Sequence, residues 1–235
     1  MAIEVTPLNI LGSGGGAGAV AATSFSDNFT RANANSWGPN WGQFFLISLS
    51  NSSSMGTLIN GNLGRFLQNG IGTVASLNTP IPMIWLNTLT SPRNQFAQAV
   101  LSAVSTTTSD AFVGIVGSIL QATAGAASQG FYAIKRANAT GLITIVKEVF
   151  SGTLATGFTE TLISNLGGAT SALGDTLRIE GRNSGGTWTL TGLKNGVSQG
   201  SGTDNQLQIG APIVACDCAV AAGTLDFSSF SSGLL

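Results

Sequence analysis

No histidine occurs in the 235 residues, and only 8% of them are Asp, Glu, Lys or Arg, about a third of the share in an ordinary soluble domain. Without histidine there is no Ser-His-Asp arrangement, no imidazole base and no His-ligated metal. Nine basic and ten acidic residues leave a net charge of −1. The densest basic point is the pair Lys135-Arg136, so the electrostatic footprint of a nucleic-acid binder is missing. Cysteine is equally scarce. Cys216 and Cys218 form a C-x-C pair whose Cα atoms would sit about 6.5–7 Å apart on a strand, at the upper edge of disulfide geometry. No further Cys or His completes a zinc site, and the pair reads as two buried thiols. Long apolar runs are absent too: the longest, 111–120, is about half a bilayer span, so no membrane segment is expected. Helical periodicity is lacking, and the alanine-rich piece 121–127 is too short and glycine-broken to hold a helix.

What remains is a chain whose surface must be built from Ser, Thr, Asn, Gln and Gly. Its mean hydropathy is positive, +0.32. That suits a surface partly covered by neighbours, although a large dry core gives the same sign. Residues 1–24 read as an arm. Glu4 stands near the start with no Lys or Arg, while Pro7 and the glycines of 12–16 interrupt the apolar run, so the segment is expected to be an uncleaved arm and not a secretion signal. Ile3 and Val5, then Leu8 and Ile10 beyond the proline, alternate as a strand donated to another surface would, with a plain tail as the alternative. The glycine-rich stretch 12–18 reads as a hinge. It lacks the following helix that a dinucleotide-binding loop needs.

Residues 25–235 read as one β domain. Short apolar runs recur at 43–49, 57–59, 64–68, 83–86, 95–104, 111–120, 130–136, 142–150 and 158–164, with turn residues between them. Asn60-Gly61, Asn69-Gly70 and Asn195-Gly196 supply the positive φ of tight hairpins.

The last third carries Gly174-Asp175-Thr176-Leu177-Arg178-Ile179-Glu180-Gly181, then Thr187-Trp188-Thr189-Leu190, Lys194-Asn195-Gly196-Val197, Thr203-Asp204 and Gly223-Thr224-Leu225-Asp226-Phe227. Near the start stand Phe25-Ser26-Asp27-Asn28-Phe29-Thr30-Arg31 and Trp37-Gly38-Pro39-Asn40-Trp41. This succession resembles the concanavalin A-like lectin and glucanase superfamily, laminin-G-like jelly rolls included. The resemblance implies an all-β jelly-roll sandwich whose final strand lies beside the first. Such domains with a low-charge, Ser/Thr/Asn-rich surface are similar to those of bacteriophage virion proteins.

The glucanases of this fold set their carboxylates on one strand as E-x-D-x-x-E. No such pattern occurs, and Asp175 and Glu180, the closest acids, have opposite strand parity. The sequence therefore reads as non-enzymatic, with no catalytic residue and no cofactor. A calcium ion between Asp27 and Asp226 is a minor alternative beside the plain reading that each solvates a strand end. A sugar platform at Trp37 and Trp41 is another. The expected function is that of a virion structural protein, a capsid decoration or cement subunit located in the virion. It would dock on the major capsid protein or other virion subunits through Ile3, Val5, Leu8, Ile10 and one sandwich face, and would self-associate. The alternative is a glycan-binding, lectin-like module of a tail or adhesion device.

Overall fold

The computed structural model describes residues 24–30, 32–33, 41–43, 55–60, 63–68, 80–85, 94–104, 109–117, 130–150, 158–207, 209–218 and 223–235. Among the described residues fifteen strands follow one another: β1 (Ser24–Asp27), β2 (Trp41–Gln43), β3 (Met55–Asn60), β4 (Leu63–Gln68), β5 (Pro80–Trp85), β6 (Gln95–Val104), β7 (Ser109–Gly117) and β8 (Gly130–Arg136). The second half holds β9 (Ile143–Phe150), β10 (Phe158–Ser164), β11 (Thr176–Ser184), β12 (Thr187–Lys194), β13 (Val197–Asp204), β14 (Ile209–Cys218) and β15 (Gly223–Leu234). They pair antiparallel into two sheets. Sheet A runs β13-β12-β11-β6-β15-β4-β3, with β1 also on β15, and sheet B runs β10-β9-β8-β7-β14-β5-β2.

Alternation explains sheet A. In β6, Gln95, Ala97, Ala99 and Leu101 are buried while Phe96, Gln98 and Val100 are half-buried. The period-2 pattern turns one face to the core and the other to solvent. β11 and β12 repeat it with Leu177 and Ile179, then Trp188 and Leu190, all buried. Sheet B differs. β8 is buried at six of its seven positions, so both of its faces are covered. The shared core lies between the sheets around Trp188, Tyr132, Phe227, Phe230, Ile115 and Ile134.

The 95–104, 130–136 and 158–164 runs coincide with β6, β8 and β10. The 111–120 run is shifted, because the strand starts at Ser109 and ends at Gly117. Most of 43–49 lies outside the described residues, as does Asn69-Gly70. The Asn195-Gly196 hairpin forms with φ of 50° and 79°, closing Lys194 onto Val197. Cys216 and Cys218 stand two apart on β14, in register with Ala111 and Ser109.

Two devices tie the sheets together. Between β10 and β11 a short 3-10 turn (Leu166–Gly168) inserts Leu166 under sheet A, where a Cβ on Gly192 would come within 2.9 Å of its side chain. Beside it, Tyr132 of β8 donates a hydrogen bond to Asp204 of β13 (2.6 Å), and Lys147 of β9 donates to Asp204 (2.9 Å) and to Gln206 (2.7 Å). The Leu207 amide donates back to the Tyr132 hydroxyl at 2.9 Å. Burial pushes the Tyr132 phenol well above its usual range, and the Asp204 hydrogen bond pushes the same way. Burial also acts to raise Asp204, but the hydrogen bonds from Tyr132, Lys147 and the Gln206 amide outweigh it and hold that carboxyl below the usual range.

Candidate functional site

Residues singled out by sequence fall at the junction of the first and last strands. The Asp27 carboxylate is buried: one oxygen accepts the Phe29 amide at 2.7 Å and the other accepts the Trp41 indole N–H at 2.8 Å. Phe29 takes φ 56°, which turns the chain sharply after β1. Trp41 stacks on Phe29 with centroids 5.9 Å apart and meets Phe230 edge-on at 4.9 Å. With only 6% of its surface exposed, Trp41 offers no face to a sugar ring. Trp37, Ile3, Val5, Leu8 and Ile10 lie outside the described residues.

The final strand does run beside the first, but at residues 230–233, while residues 223–227 pair with β4. Asp27 is in register with Phe230, four residues along β15 from Asp226. That is about 13 Å of strand, so the two acids do not meet at one site. Among the described residues no group of three or more metal-ligating side chains gathers.

Linear spacing does not reveal the outer face of sheet B. Strand register puts Lys135 opposite Phe112, Phe131 opposite Glu148, and Glu148 opposite Glu160. Phe112, Phe131 and Glu148 are buried although they point away from sheet A. The Lys135 ammonium reaches Glu160 at 2.7 Å and Asp110 at 3.1 Å and lies 5.7 Å from the Phe112 ring centroid. Burial pulls the Lys135 ammonium down, but Glu160 and Asp110 outweigh it and raise its pKa. Directly opposed side chains have Cβ atoms about 5 Å apart. Glu148 and Glu160 therefore form a cross-strand pair on the outer face of sheet B, with the Glu160 carboxylate engaged by Lys135.

A third region is the end of the sandwich where the 137–141 turn, the 165–175 segment and the Asn195-Gly196 hairpin converge. Leu142 bridges to Thr170, the Ser171 amide donates to the Gly141 carbonyl at 2.8 Å, and the Asn195 amide group donates to Asp175 at 2.7 Å. The charged side chains here are engaged in holding loops. Lys194 donates to the Thr170 carbonyl (2.9 Å), Arg136 to the Ser171 carbonyl (3.1 Å), and Asp175 accepts the Ala172 amide (2.8 Å). The Asn195 hydrogen bond, foremost, holds the Asp175 carboxyl below its usual range. Among its exposed side chains three are large and apolar: Leu142, Leu173 and Val197 are 40%, 46% and 65% exposed, beside exposed Thr140, Thr170, Asn195 and Ser198, and Leu162 on the adjoining edge strand is 59% exposed.

No family model and no curated protein matches the chain by sequence. Solved structures match its fold. A prokaryotic β-1,3-1,4-glucanase (lichenase) from a mouse hindgut metagenome superposes with TM-score 0.56 at 7% identity, covering 91% of this chain and 100% of that one. The Bacillus licheniformis β-glucanase gives 0.54 at 9% identity over 91% and 99% of the two chains. The endo-β-1,3-glucanase of Pyrococcus furiosus gives 0.52 at 9% identity over 90% and 94%. At such identities the likeness is one of architecture.

These neighbours correct one expectation. The chain was expected to be non-enzymatic, yet the architecture it shares is one on which glycan hydrolysis is performed. The expectation rested on the absence of a one-strand carboxylate pattern, and a linear pattern does not register acids that strand pairing brings side by side. Glu148 and Glu160 are twelve positions apart in sequence and become neighbours only through the pairing of β9 with β10.

Proposed function

Because the chain is a concanavalin A-like jelly roll, we propose that it serves as a structural component of a larger protein assembly, docking through the apolar end formed by Leu142, Leu173 and Val197. The virion context comes from the sequence resemblance. The observation that carries the docking role is the pairing of 40–65% exposure at these three side chains with charges that are all turned to loop contacts. Exposed apolar side chains on a low-charge surface lose little desolvation energy when a partner covers them, and such surfaces mark interaction sites. The partner class is a neighbouring coat subunit, such as a major capsid protein, or a second copy of the chain, with the arm residues Ile3, Val5, Leu8 and Ile10 as an added strand. Co-sedimentation with particles from the protein's source tests it. The intact chain should pellet with particles, and Leu173→Ser combined with Val197→Ser should weaken binding about tenfold or more, as should deletion of residues 1–18. Unchanged binding by the double variant would remove the apolar end from the interface.

A second reading, glycan processing or recognition on the outer face of sheet B, is favoured by the Glu148–Glu160 juxtaposition. Release of reducing sugar from β-1,3-1,4-glucan by the full chain, abolished in Glu148→Gln and in Glu160→Gln, would support it. No release above a protein-free blank would leave the face as a structural ion-pair network.

A further inference from the structure

β10 is the outermost strand of sheet B among the described residues. Thr159, Glu160, Thr161 and Leu162 are exposed one after another, Leu162 at 59%. Exposure of consecutive residues means that both faces of the strand are open, unlike the alternation of β6 or the double cover of β8. The pairing of β10 with β9 is regular from Phe158 opposite Phe150 to Leu162 opposite Val146, and only then shifts register. The regular stretch Phe-Thr-Glu-Thr-Leu favours extended chain, and its sequence holds neither the lysine nor the proline that keeps an edge from accepting another strand. Its single charge is neutralised within the molecule, where Lys135 donates to Glu160 at 2.7 Å. The outer strand of sheet A, β13, is a poorer acceptor. Its ladder is interrupted between Ser198 and Gly200, and its Gly202 lies tight against Ile163.

The chain itself supplies a strand of matching length. Ala2-Ile3-Glu4-Val5-Thr6 is five residues of alternating character closed by Pro7, as long as the regular stretch 158–162. One parity is favoured. Glu160 and Leu162 share the outer face of sheet B, so Ile3 and Val5 on that face lie beside Leu162, while Glu4 falls on the opposite face from Glu160 and like charges are not opposed. Linker length points to a second molecule as the acceptor. Residues 7–23 join this strand to β1, and a Gly-rich segment of 17 residues spans about 23 Å on average. From β1 to the β10 of the same molecule the surface path crosses β15, β6, β11, β12 and β13 and then the gap between the sheets, about 34 Å. The β10 of an adjacent copy lies within the shorter reach when two molecules pack side by side.

We infer that the β10 edge of one copy accepts residues 2–6 of another copy as an added strand of sheet B. Main-chain hydrogen bonds supply the affinity and the Ile3/Val5 parity the register. Donor and acceptor surfaces differ, so the contact is exchanged reciprocally in a dimer or passed from copy to copy around a ring. The inference deepens the docking role proposed above, on whose arm it rests, by naming the surface that receives the arm.

The test is sedimentation velocity of the full chain from about 1 to about 200 μM, with hydrogen–deuterium exchange measured at both ends of that range. The chain should self-associate as concentration rises, and exchange within 159–162 should slow about tenfold in the associated form. Both effects should be lost in Val5→Pro, which removes a main-chain donor from the arm and leaves the sandwich sequence intact. Thr159→Lys combined with Thr161→Lys, which guards the edge with charge, should act alike, and Val5→Pro is the deciding variant if the lysine pair unfolds. Leu173→Ser combined with Val197→Ser should leave both effects unchanged. A chain that stays monomeric at about 200 μM, association that persists in Val5→Pro, or protection that appears elsewhere than 159–162 would each overturn the assignment. Arm-dependent protection of β10 in a chain that does not pellet with particles supports the exchange and counts only against the coat reading.

Discussion

Asp27 shows how one side chain organises its surroundings. Its two oxygens take one main-chain and one indole donor, both buried, and hydrogen bonds to a charged acceptor contribute roughly 1.5–3 kcal/mol each. Asp27→Ala leaves both donors without this acceptor, and a loss of about 3 kcal/mol is expected, read as a lower urea midpoint with an unchanged slope. Tyr132→Phe removes the hydroxyl that donates to Asp204 and accepts from the Leu207 amide. Leaving that amide unsatisfied should cost about 1–3 kcal/mol. The sequence marked Asp27 as a polar residue at a strand end and Trp41 as an aromatic beside a turn. It could not show that each occupies the other, because the two are fourteen positions apart and meet only when the chain turns after β1.

At the scale of elements, close approach decides which residues are allowed. β13 packs over β10 at Gly202, where an added Cβ would meet the Ile163 side chain at 2.5 Å and its carbonyl oxygen at 3.0 Å. Gly202→Ala should therefore destabilise by about 1–3 kcal/mol in thermal or urea unfolding. The β12–β13 hairpin depends on the left-handed conformation of Asn195 and Gly196, at φ 50° and 79°. An added Cβ at Gly196 would meet no neighbour, yet Gly196→Val would carry a backbone strain of about 1–2 kcal/mol. The hairpin was legible in the sequence because Asn-Gly is local turn chemistry. The Gly202 contact was not, since it joins strands from different sheets.

For the whole molecule, the tie from Tyr132 through Asp204 to Lys147 links sheets A and B, and it makes stability depend on acid. The Asp204 carboxyl is held below its usual range when folded, so its contribution is present above the unfolded pKa of about 3.9 and is lost as pH falls through the lower folded value. Urea midpoints should thus fall below about pH 4, and Asp204→Asn should lower the midpoint at pH 7 while flattening that acid limb. An acid limb as steep in Asp204→Asn as in the original chain would assign it to other carboxylates. The all-β class, the rhythm of strands and the hairpin turns were determined by the sequence alone, because alternation and turn residues act over a few positions. Tertiary structure alone decided that Asp27 and Asp226 stand apart, that Trp41 is core, that Glu148 faces Glu160, and that Leu142, Leu173 and Val197 share one end. Each of these depends on strand register or loop packing between segments distant in the chain, which no local pattern encodes.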